Sequence, residues 1–154
     1  MPPILILVGS MTGNAEFAAE EMLTVLKDEL GHEAELRLMD GLGPDAFRPG
    51  AFHIVCTSTY GEGEVPENAK ALYAALCEER PKLHGIRYAV FGLGDSGYAD
   101  TFNFGGKRFD DILTALGAER LGERAQHDIR SDTSPWDEAR AWVKTVSALW
   151  RPGG

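Results

Sequence analysis

Short apolar runs alternate with amphipathic stretches along the whole chain. Residues 4–8 (ILILV), 52–57 (FHIVCT) and 88–91 (YAVF) are mostly apolar at every position, which is typical of parallel strands covered on both faces. Residues 34–38 (AELRL) alternate instead and predict an edge strand with one wetter face. A weak fifth strand is expected within residues 119–129.

Four helices are predicted between and after these strands. Gly31 and Gly117 end two of them, and Pro81 prevents a third from continuing. The last begins at Ser134 as N-cap, with Pro135 in the first turn and Asp137 completing a capping box. The apolar stripes are Ala15, Ala18, Met22, Val25, Leu26 and Leu30; Ala69, Leu72, Tyr73 and Leu76; Phe109, Ile112, Leu113 and Leu116; and Ala139, Trp142, Val143, Val146 and Trp150.

Strands that alternate with helices predict an α/β domain, in which a parallel sheet is covered by helices on both faces. A length of 154 residues suits one domain, so residues 1–154 are expected to form a single unit. No apolar run is long enough to cross a bilayer, and the first one has no basic region before it. We therefore expect a cytoplasmic protein without a membrane segment.

Charge and reactive residues exclude several function classes. The 15 basic and 24 acidic residues give a formal charge of −9, which argues against nucleic-acid binding and favours basic protein partners. The two cysteines are expected to be reduced and buried, and the four scattered histidines predict no metal site. The sequence contains no plausible Ser-His-Asp set, so no catalytic residue is predicted.

Three unusual loops follow the first, third and fourth strands. Folds of this kind bind ligands at the carboxyl ends of their strands, where these loops begin. The first loop, residues 9–16 (GSMTGNAE), combines glycines, short polar side chains and a helix N-terminus. Such a loop can bind a phosphate without a cationic side chain, although an ordinary N-cap would look similar. It lacks the lysine and the spacing of an NTPase phosphate loop.

The second loop, residues 57–64 (TSTYGEGE), and the third loop, residues 92–98 (GLGDSGY), each carry a tyrosine among glycines. Tyr60 and Tyr98 could cover the two faces of one flat ring, with surface aromatics as the alternative. The third loop contains a literal G-x-G-x-x-G. It follows the fourth strand rather than the first, and the next helical stripe starts only at about Phe109, so a dinucleotide site is not predicted.

Together the loops resemble those of the flavodoxin family, above all short MioC-type flavodoxins and the FMN domains of cytochrome P450 reductase and sulfite reductase flavoprotein. The matching segments are S-x-T-G-x-A-E at residues 10–16, T-Y-G-E-G-E at 59–64 and G-L-G-D-x-x-Y at 92–98. Residues 102–107 and 116–118 resemble later family motifs. The resemblance covers essentially the whole chain, with Asn14 standing where relatives often have threonine.

The resemblance implies a three-layer sandwich around a five-stranded parallel sheet of order 2-1-3-4-5. It implies FMN as cofactor, with its phosphate on the first loop and its ring between Tyr60 and Tyr98. The Gly61 carbonyl would meet the protonated ring nitrogen of the one-electron-reduced flavin. The cofactor-binding residues implied are Ser10, Met11, Thr12, Gly13, Asn14, Ala15, Ser58, Thr59, Tyr60, Gly61, Leu93, Gly94, Asp95, Tyr98, Phe102 and Asn103, with Asp128 as a weaker candidate.

The function expected from these features is electron transfer. The resemblance implies a flavodoxin/ferredoxin-NADP reductase-type donor and single electrons passed to an unidentified acceptor enzyme, and we expect a monomer. Carboxylates at Glu62, Glu64 and Asp95 should disfavour the anionic reduced flavin. A stand-alone flavin or quinone reductase and an excised domain of a diflavin reductase stay open. A response-regulator receiver is disfavoured, because Thr57 and Ser10 occupy its acidic positions.

Overall fold

The computed structural model of the chain describes residues 3–10, 13–59, 63–97 and 102–150. Its regular elements alternate as the hydrophobic pattern predicts. A π-helical turn, Val25–Glu29, extends the first helix, and 3₁₀ turns span Pro44–Ala46 and Glu67–Ala69. In chain order, the elements are β1 (Ile4–Gly9), α1 (Asn14–Thr24), β2 (Ala34–Leu38), β3 (Phe52–Ser58), α2 (Lys70–Glu79), β4 (Arg87–Gly94), α3 (Phe104–Ala115), β5 (Glu119–Arg120), β6 (Ala125–Asp128) and α4 (Pro135–Ser147).

The sheet has the order β2-β1-β3-β4-β5, and β6 also pairs with β4. All of these pairings are parallel. Successive side chains of β1 point to opposite faces of the sheet. Ile4, Ile6 and Val8 therefore join α1 and α4 in one core, whereas Leu5 and Leu7 join α2 and α3 in the other. The predicted three-layer α/β fold and strand order are confirmed.

The fifth position of the sheet is divided between two short strands. Tyr88 and Phe91 of β4 lie opposite Arg120 and Ala125, respectively. Arg120 and Ala125 are five positions apart in sequence, whereas Tyr88 and Phe91 are three positions apart. The two additional residues form an outward bulge of the edge strand between β5 and β6. Gly122 adopts a φ of +73° inside this bulge. The absence of a clear alternating pattern in residues 119–129 reflects this interruption.

Most predicted helix boundaries agree with the structure. Ser134 caps α4, and its Oγ accepts a hydrogen bond from the backbone N–H of Asp137 at 3.1 Å. The Asp137 carboxylate itself pairs with Arg140. One boundary was wrong: α3 begins at Phe104, five residues before the stripe that starts at Phe109. Its first turn contains Gly105 and Gly106, which helix propensity disfavours, and close packing requires glycine at Gly105.

The two cysteines are free thiols. Cys56 is buried, and its Sγ donates a hydrogen bond to the Ala15 carbonyl at 3.3 Å. Burial raises the pKa of this thiol. Cys77 is half-buried. Among the described residues, no helix combines the length and the apolar character needed to cross a membrane.

His53 is a buried histidine held in its neutral form. Its Nε2 accepts a hydrogen bond from the Arg48 N–H at 2.9 Å, and its Nδ1 lies 3.0 Å from the Arg87 carbonyl oxygen, as a donor in this tautomer. Burial lowers the pKa of the ring from 6.5 to about 4, with the Arg48 charge acting in the same direction. Both nitrogens thus serve to join β3 to neighbouring segments.

We expect His53 to make the fold less stable in mild acid. The unfolded chain binds the proton near pH 6.5 and the folded chain only near pH 4, so stability falls as the pH drops through this interval. The loss attributable to His53 is about 2 kcal/mol between pH 7 and pH 5. Urea titrations at both pH values should show a smaller difference for His53→Gln than for the wild type. His84→Gln, at an exposed histidine, should keep the wild-type difference; equal pH differences in all three proteins would contradict the assignment.

Candidate functional site

The three loops follow the carboxyl ends of β1, β3 and β4, which are adjacent parallel strands, so they lie at the same end of the sheet. Gly9 at the end of β1 lies opposite Thr57 of β3, and Ser58 lies opposite Leu93 of β4. The backbone N–H of Thr59 donates to the Leu93 carbonyl at 3.1 Å, which links the second and third loops directly. The described parts of the three loops therefore form one continuous rim, as the sequence predicted.

The first loop presents backbone donors at the start of α1. Gly13 adopts a φ of +91°, a conformation that glycine accepts without strain. Its N–H donates to Ser10 Oγ at 2.9 Å, which closes a tight turn. Because the Phe17 N–H already bonds to the Gly13 carbonyl, the N–H groups of Asn14, Ala15 and Glu16 precede the helical hydrogen-bond ladder.

Asn68 supports this loop and was not predicted from the sequence. Its Oδ1 accepts from the Ser10 N–H at 2.9 Å, and its Nδ2 donates to the Val8 carbonyl at 3.3 Å. The side chain thus holds the exit of β1 from a segment 58 residues away. An asparagine just after Pro66 is the only local signal, and it does not reveal so distant a partner.

The N-terminus of α3 packs tightly against the second loop. The Gly105 N–H donates to Thr59 Oγ1 at 3.0 Å, and a Cβ at Gly105 would lie 2.2 Å from the Ser58 carbonyl oxygen. Arg108 of the same helix donates from Nε to the Gly63 carbonyl at 2.6 Å. Both ends of the second loop are therefore fixed by α3.

Packing accounts for the glycines of the third loop. A Cβ at Gly92 would lie 2.5 Å from Asn103 Oδ1, and one at Gly94 would lie 2.8 Å from the Asn103 backbone nitrogen. A Cβ at Gly97 would lie 2.5 Å from the Arg130 guanidinium. Close contacts with Asn103 and Arg130 thus account for the glycines of the G-x-G-x-x-G pattern in this loop.

Asn103 is buried beneath the third loop rather than exposed at its rim. It adopts a φ of +57°, and its Nδ2 donates to the His127 carbonyl at 3.2 Å. Its Oδ1 is buried without a hydrogen-bond partner among the described residues. The His127 ring is also buried, and its Nδ1 lies 2.9 Å from a Glu138 carboxylate oxygen. Asn103 therefore joins α3 to β6 beside the third loop.

The predicted site residues fall into three groups. Ala15, Leu93 and Asn103 have buried side chains, so only their backbones are available to a ligand. Asn14 is exposed, whereas Ser10, Gly13, Ser58, Thr59, Gly94, Asp95 and Phe102 are half-buried along the rim. Met11, Thr12, Tyr60, Gly61 and Tyr98 lie outside the described residues.

A cleft of about 340 Å³ opens between the first loop and the segment that joins β6 to α4. It is lined by Asn14, Ile129 and Trp136, among others. Ile129 and Trp136 are unusually exposed for apolar side chains, at 52% and 40%. The start of α1 therefore borders an open, partly apolar space, which Asn14 alone of the described site residues lines.

Two of the three carboxylates expected to repel a reduced flavin have cationic partners. Asp95 pairs with Arg130, and Glu64 lies 3.7 Å from Lys70. Glu62 lies outside the described residues. Arg130 and Lys70, which no loop motif includes, therefore offset part of the negative charge of the rim. Lys70 also pairs with Glu67 at 3.0 Å, so its effect on Glu64 is shared.

Comparison with known proteins identifies the family. The flavodoxin family profile matches residues 6–142. The chain is 38% identical over 149 residues to flavodoxin YqcA of Pectobacterium carotovorum, covering 97% of each protein. The chain belongs to the flavodoxin family. It is also 42% identical over 155 residues to the sulfite reductase flavoprotein alpha-component of Escherichia coli O9:H4, but spans only 24% of that protein's length.

Solved flavodoxins share the fold over nearly the whole chain. A single-residue variant of a flavodoxin from Pseudomonas aeruginosa superimposes with a TM-score of 0.79 at 33% identity, covering 95% of this chain and 97% of its own. The flavodoxin of Streptococcus pneumoniae TIGR4 gives a TM-score of 0.80 at 29% identity, covering 94% and 97%. The resemblance inferred from the loop motifs is confirmed.

As a flavodoxin, the chain is an FMN-binding electron-transfer protein, and the described residues fit this cofactor. The donors at the first loop are backbone N–H groups and short polar side chains, which suit a phosphate group at a helix N-terminus. The second and third loops follow neighbouring strands, β3 and β4, at the same end of the sheet, next to the strand that precedes the first loop. No group of three or more His, Cys, Asp or Glu side chains within the described ranges could hold a metal ion.

Proposed function

We propose that this flavodoxin accepts electrons from an NADPH-dependent flavodoxin/ferredoxin reductase-type donor and passes them singly to an acceptor enzyme. The observation that carries the proposal is the composition of the rim. In the described parts of the three loops, backbone amides, glycines and short polar side chains predominate, and we find no paired acid, base and nucleophile. Such a site serves to hold a redox cofactor, whose own chemistry does the work.

FMN supplies one- and two-electron redox chemistry when bound. The N–H groups at the start of α1 and the Ser10 hydroxyl would hold its phosphate, supported by Asn68. Ser58, Thr59, Leu93 and Gly94 would present backbone groups to the ring edge. Tyr60 and Tyr98 would cover the ring faces, as the family resemblance implies. The remaining proposed site residues are Met11, Thr12, Gly13, Asn14, Ala15, Gly61, Asp95, Phe102 and Asn103.

The acidic surface supports a donor with a basic docking face. The formal charge of −9 favours electrostatic steering of such a partner. The sulfite reductase flavoproteins, which resemble this chain over its length, bear the NADPH designation in their names, which is consistent with a nicotinamide-dependent donor. We further propose that the protein acts as a monomer in the cytoplasm.

Reduction by such a donor is expected to slow at least tenfold between about 20 mM and 500 mM salt, because salt screens the attraction between opposite charges. Stopped-flow absorbance of the flavin, with NADPH and a purified ferredoxin-NADP reductase, measures this rate directly. NADPH without the reductase is the control and should leave the flavin oxidised. A rate independent of salt would contradict charge steering.

The same stopped-flow assay, repeated with the chain fused to a reductase module, separates the proposal from its alternatives. Rapid NADPH oxidation by the isolated protein would indicate a flavin or quinone reductase instead of a carrier. A protein that accepts electrons only when fused to a reductase module would indicate a domain of a diflavin reductase, consistent with the 24% of the sulfite reductase flavoprotein that this chain spans.

A further inference from the structure

An ion pair joins the third loop to the segment after β6. Asp95 follows β4 directly, and its Oδ1 accepts a hydrogen bond from Arg130 Nε. Arg130 lies two residues beyond β6, which is the neighbour of β4 in the sheet. The two side chains are 35 residues apart in sequence, and no loop motif contains Arg130.

Further hydrogen bonds fix the backbone on both sides of this ion pair. Asp95 Oδ1 also accepts from the Gly97 N–H at 2.8 Å. Asp128 Oδ1 accepts from the N–H groups of Ser96 and Arg130, at 3.1 Å and 3.0 Å. Asp128, only a weak site candidate from the sequence, is therefore a support for the third loop.

The Arg130 guanidinium also covers the loop backbone. A Cβ added at Gly97 would lie within 2.7 Å of three of its atoms, so the guanidinium rests against the bare Cα. Arg130 is 61% exposed and Asp95 is 23% exposed. The cation thus forms the outer surface of the loop, and the carboxylate lies beneath it.

Both partners remain charged in neutral solution. The Arg130 hydrogen bond, followed by the Gly97 N–H, holds the pKa of Asp95 below its usual range. The Asp95 carboxylate and the Arg130 guanidinium therefore lie side by side, with the Asp128 carboxylate as a second negative charge near them. Arg130 offsets the Asp95 charge, which would otherwise act fully on a ligand.

We propose that Arg130 is a positioning residue that holds the third loop and cancels the charge of Asp95, and that it thereby raises the reduction potential of bound FMN. The inference rests on the proposed placement of the third loop at the flavin ring. Its sign follows from electrostatics, since the Asp95 carboxylate disfavours an added electron on the flavin and the Arg130 guanidinium favours it.

The two partners should therefore shift the potential in opposite directions when they are neutralised separately. Arg130→Gln leaves the Asp95 charge and should make the last electron harder to add, whereas Asp95→Asn leaves the Arg130 charge and should make it easier. A unit charge acting over about 10 Å at an effective dielectric constant of about 40 changes an equilibrium constant about fourfold. The double variant should return to within about twofold of the wild type.

The experiment is a spectroscopic redox titration of the FMN-loaded protein with dithionite and indicator dyes, compared across the wild type, both single variants and the double variant. Arg130→Lys, which keeps the charge, should stay near the wild-type potential. Lys144→Gln is the matched charge control: Lys144 forms an exposed ion pair with Glu29 at 3.2 Å, in the last turn of α4. It should leave the potential within about twofold in equilibrium constant.

Opposite shifts that cancel in the double variant support the proposal. Shifts of the same sign in the two single variants, or no shift, would overturn it. A purely structural role would weaken FMN binding in both single variants and would not shift the reduction potential in opposite directions. If Arg130→Gln releases FMN, the potential of Arg130→Lys is used instead. A shift from the wild-type potential no larger than the shift of Lys144→Gln supports the charge role. A larger shift overturns it. No electron-transfer partner is used, so failure of the proposed donor reaction would leave these outcomes unaffected.

Discussion

Replacing Gly105 with alanine is expected to weaken FMN binding at least tenfold and to lower the free energy of unfolding by about 2 kcal/mol. The added Cβ would lie 2.2 Å from the Ser58 carbonyl oxygen and 3.2 Å from the Thr59 Cα. These are backbone atoms, so no flexible side-chain end can move aside. The second loop must shift away from α3, and the hydrogen bond from the Gly105 N–H to Thr59 must lengthen.

Fluorescence titration with FMN gives the affinity, and urea unfolding gives the stability. Gly106→Ala is the matched control, because its added Cβ would meet a methyl group of Val90 at 3.2 Å and the Gly92 Cα at 3.3 Å, both on β4 instead of on the second loop. We expect this control to change the FMN affinity less than threefold. Wild-type affinity in Gly105→Ala would show that the second loop is not held by this contact or does not touch the flavin.

The sequence predicted the layers of the fold because burial determines which positions of each helix and strand are apolar. β1 must cover two cores, so residues 4–8 are apolar throughout, and the loops that follow β1, β3 and β4 differ visibly from such runs. The start of α3 was predicted too late, because two glycines in its first turn conceal a helix. Gly105 is required by its packing against the second loop, and the local sequence of the helix does not reveal that contact.

The supports of the site carry no such periodic signal. Asn68 reaches the first loop from 58 residues away, and Arg130 reaches the third loop from 35 residues away. A motif records the residues along one loop, whereas these side chains come from the ends of other elements. For this reason the sequence indicated three acidic charges near the flavin but not the cations that accompany Glu64 and Asp95.

Replacing Asp110 with alanine is expected to lower the free energy of unfolding by about 3 kcal/mol, because it breaks a buried charge network. The carboxylate accepts hydrogen bonds from the Tyr88 hydroxyl at 2.6 Å and from Arg120 at 2.5 Å, and Arg124 lies 3.6 Å away. Asp110 is only 6% exposed, so water cannot replace these interactions. Burial of the Tyr88 ring, together with its hydrogen bond to Asp110, raises the pKa of the Tyr88 hydroxyl.

The adjacent residue provides the control, since Asp111 is exposed and forms an i,i+4 ion pair with Lys107 at 2.7 Å. Asp111→Ala removes the same charge from the same helix, yet it should cost less than about 0.5 kcal/mol, because exposed ion pairs contribute little. Urea unfolding of both variants at neutral pH measures the difference. The network lies near the amino end of β4, opposite the three loops, so FMN affinity should stay within about twofold in both variants. Equal destabilisation by the two substitutions would show that net charge, and not the buried network around Tyr88, sets the stability of this face.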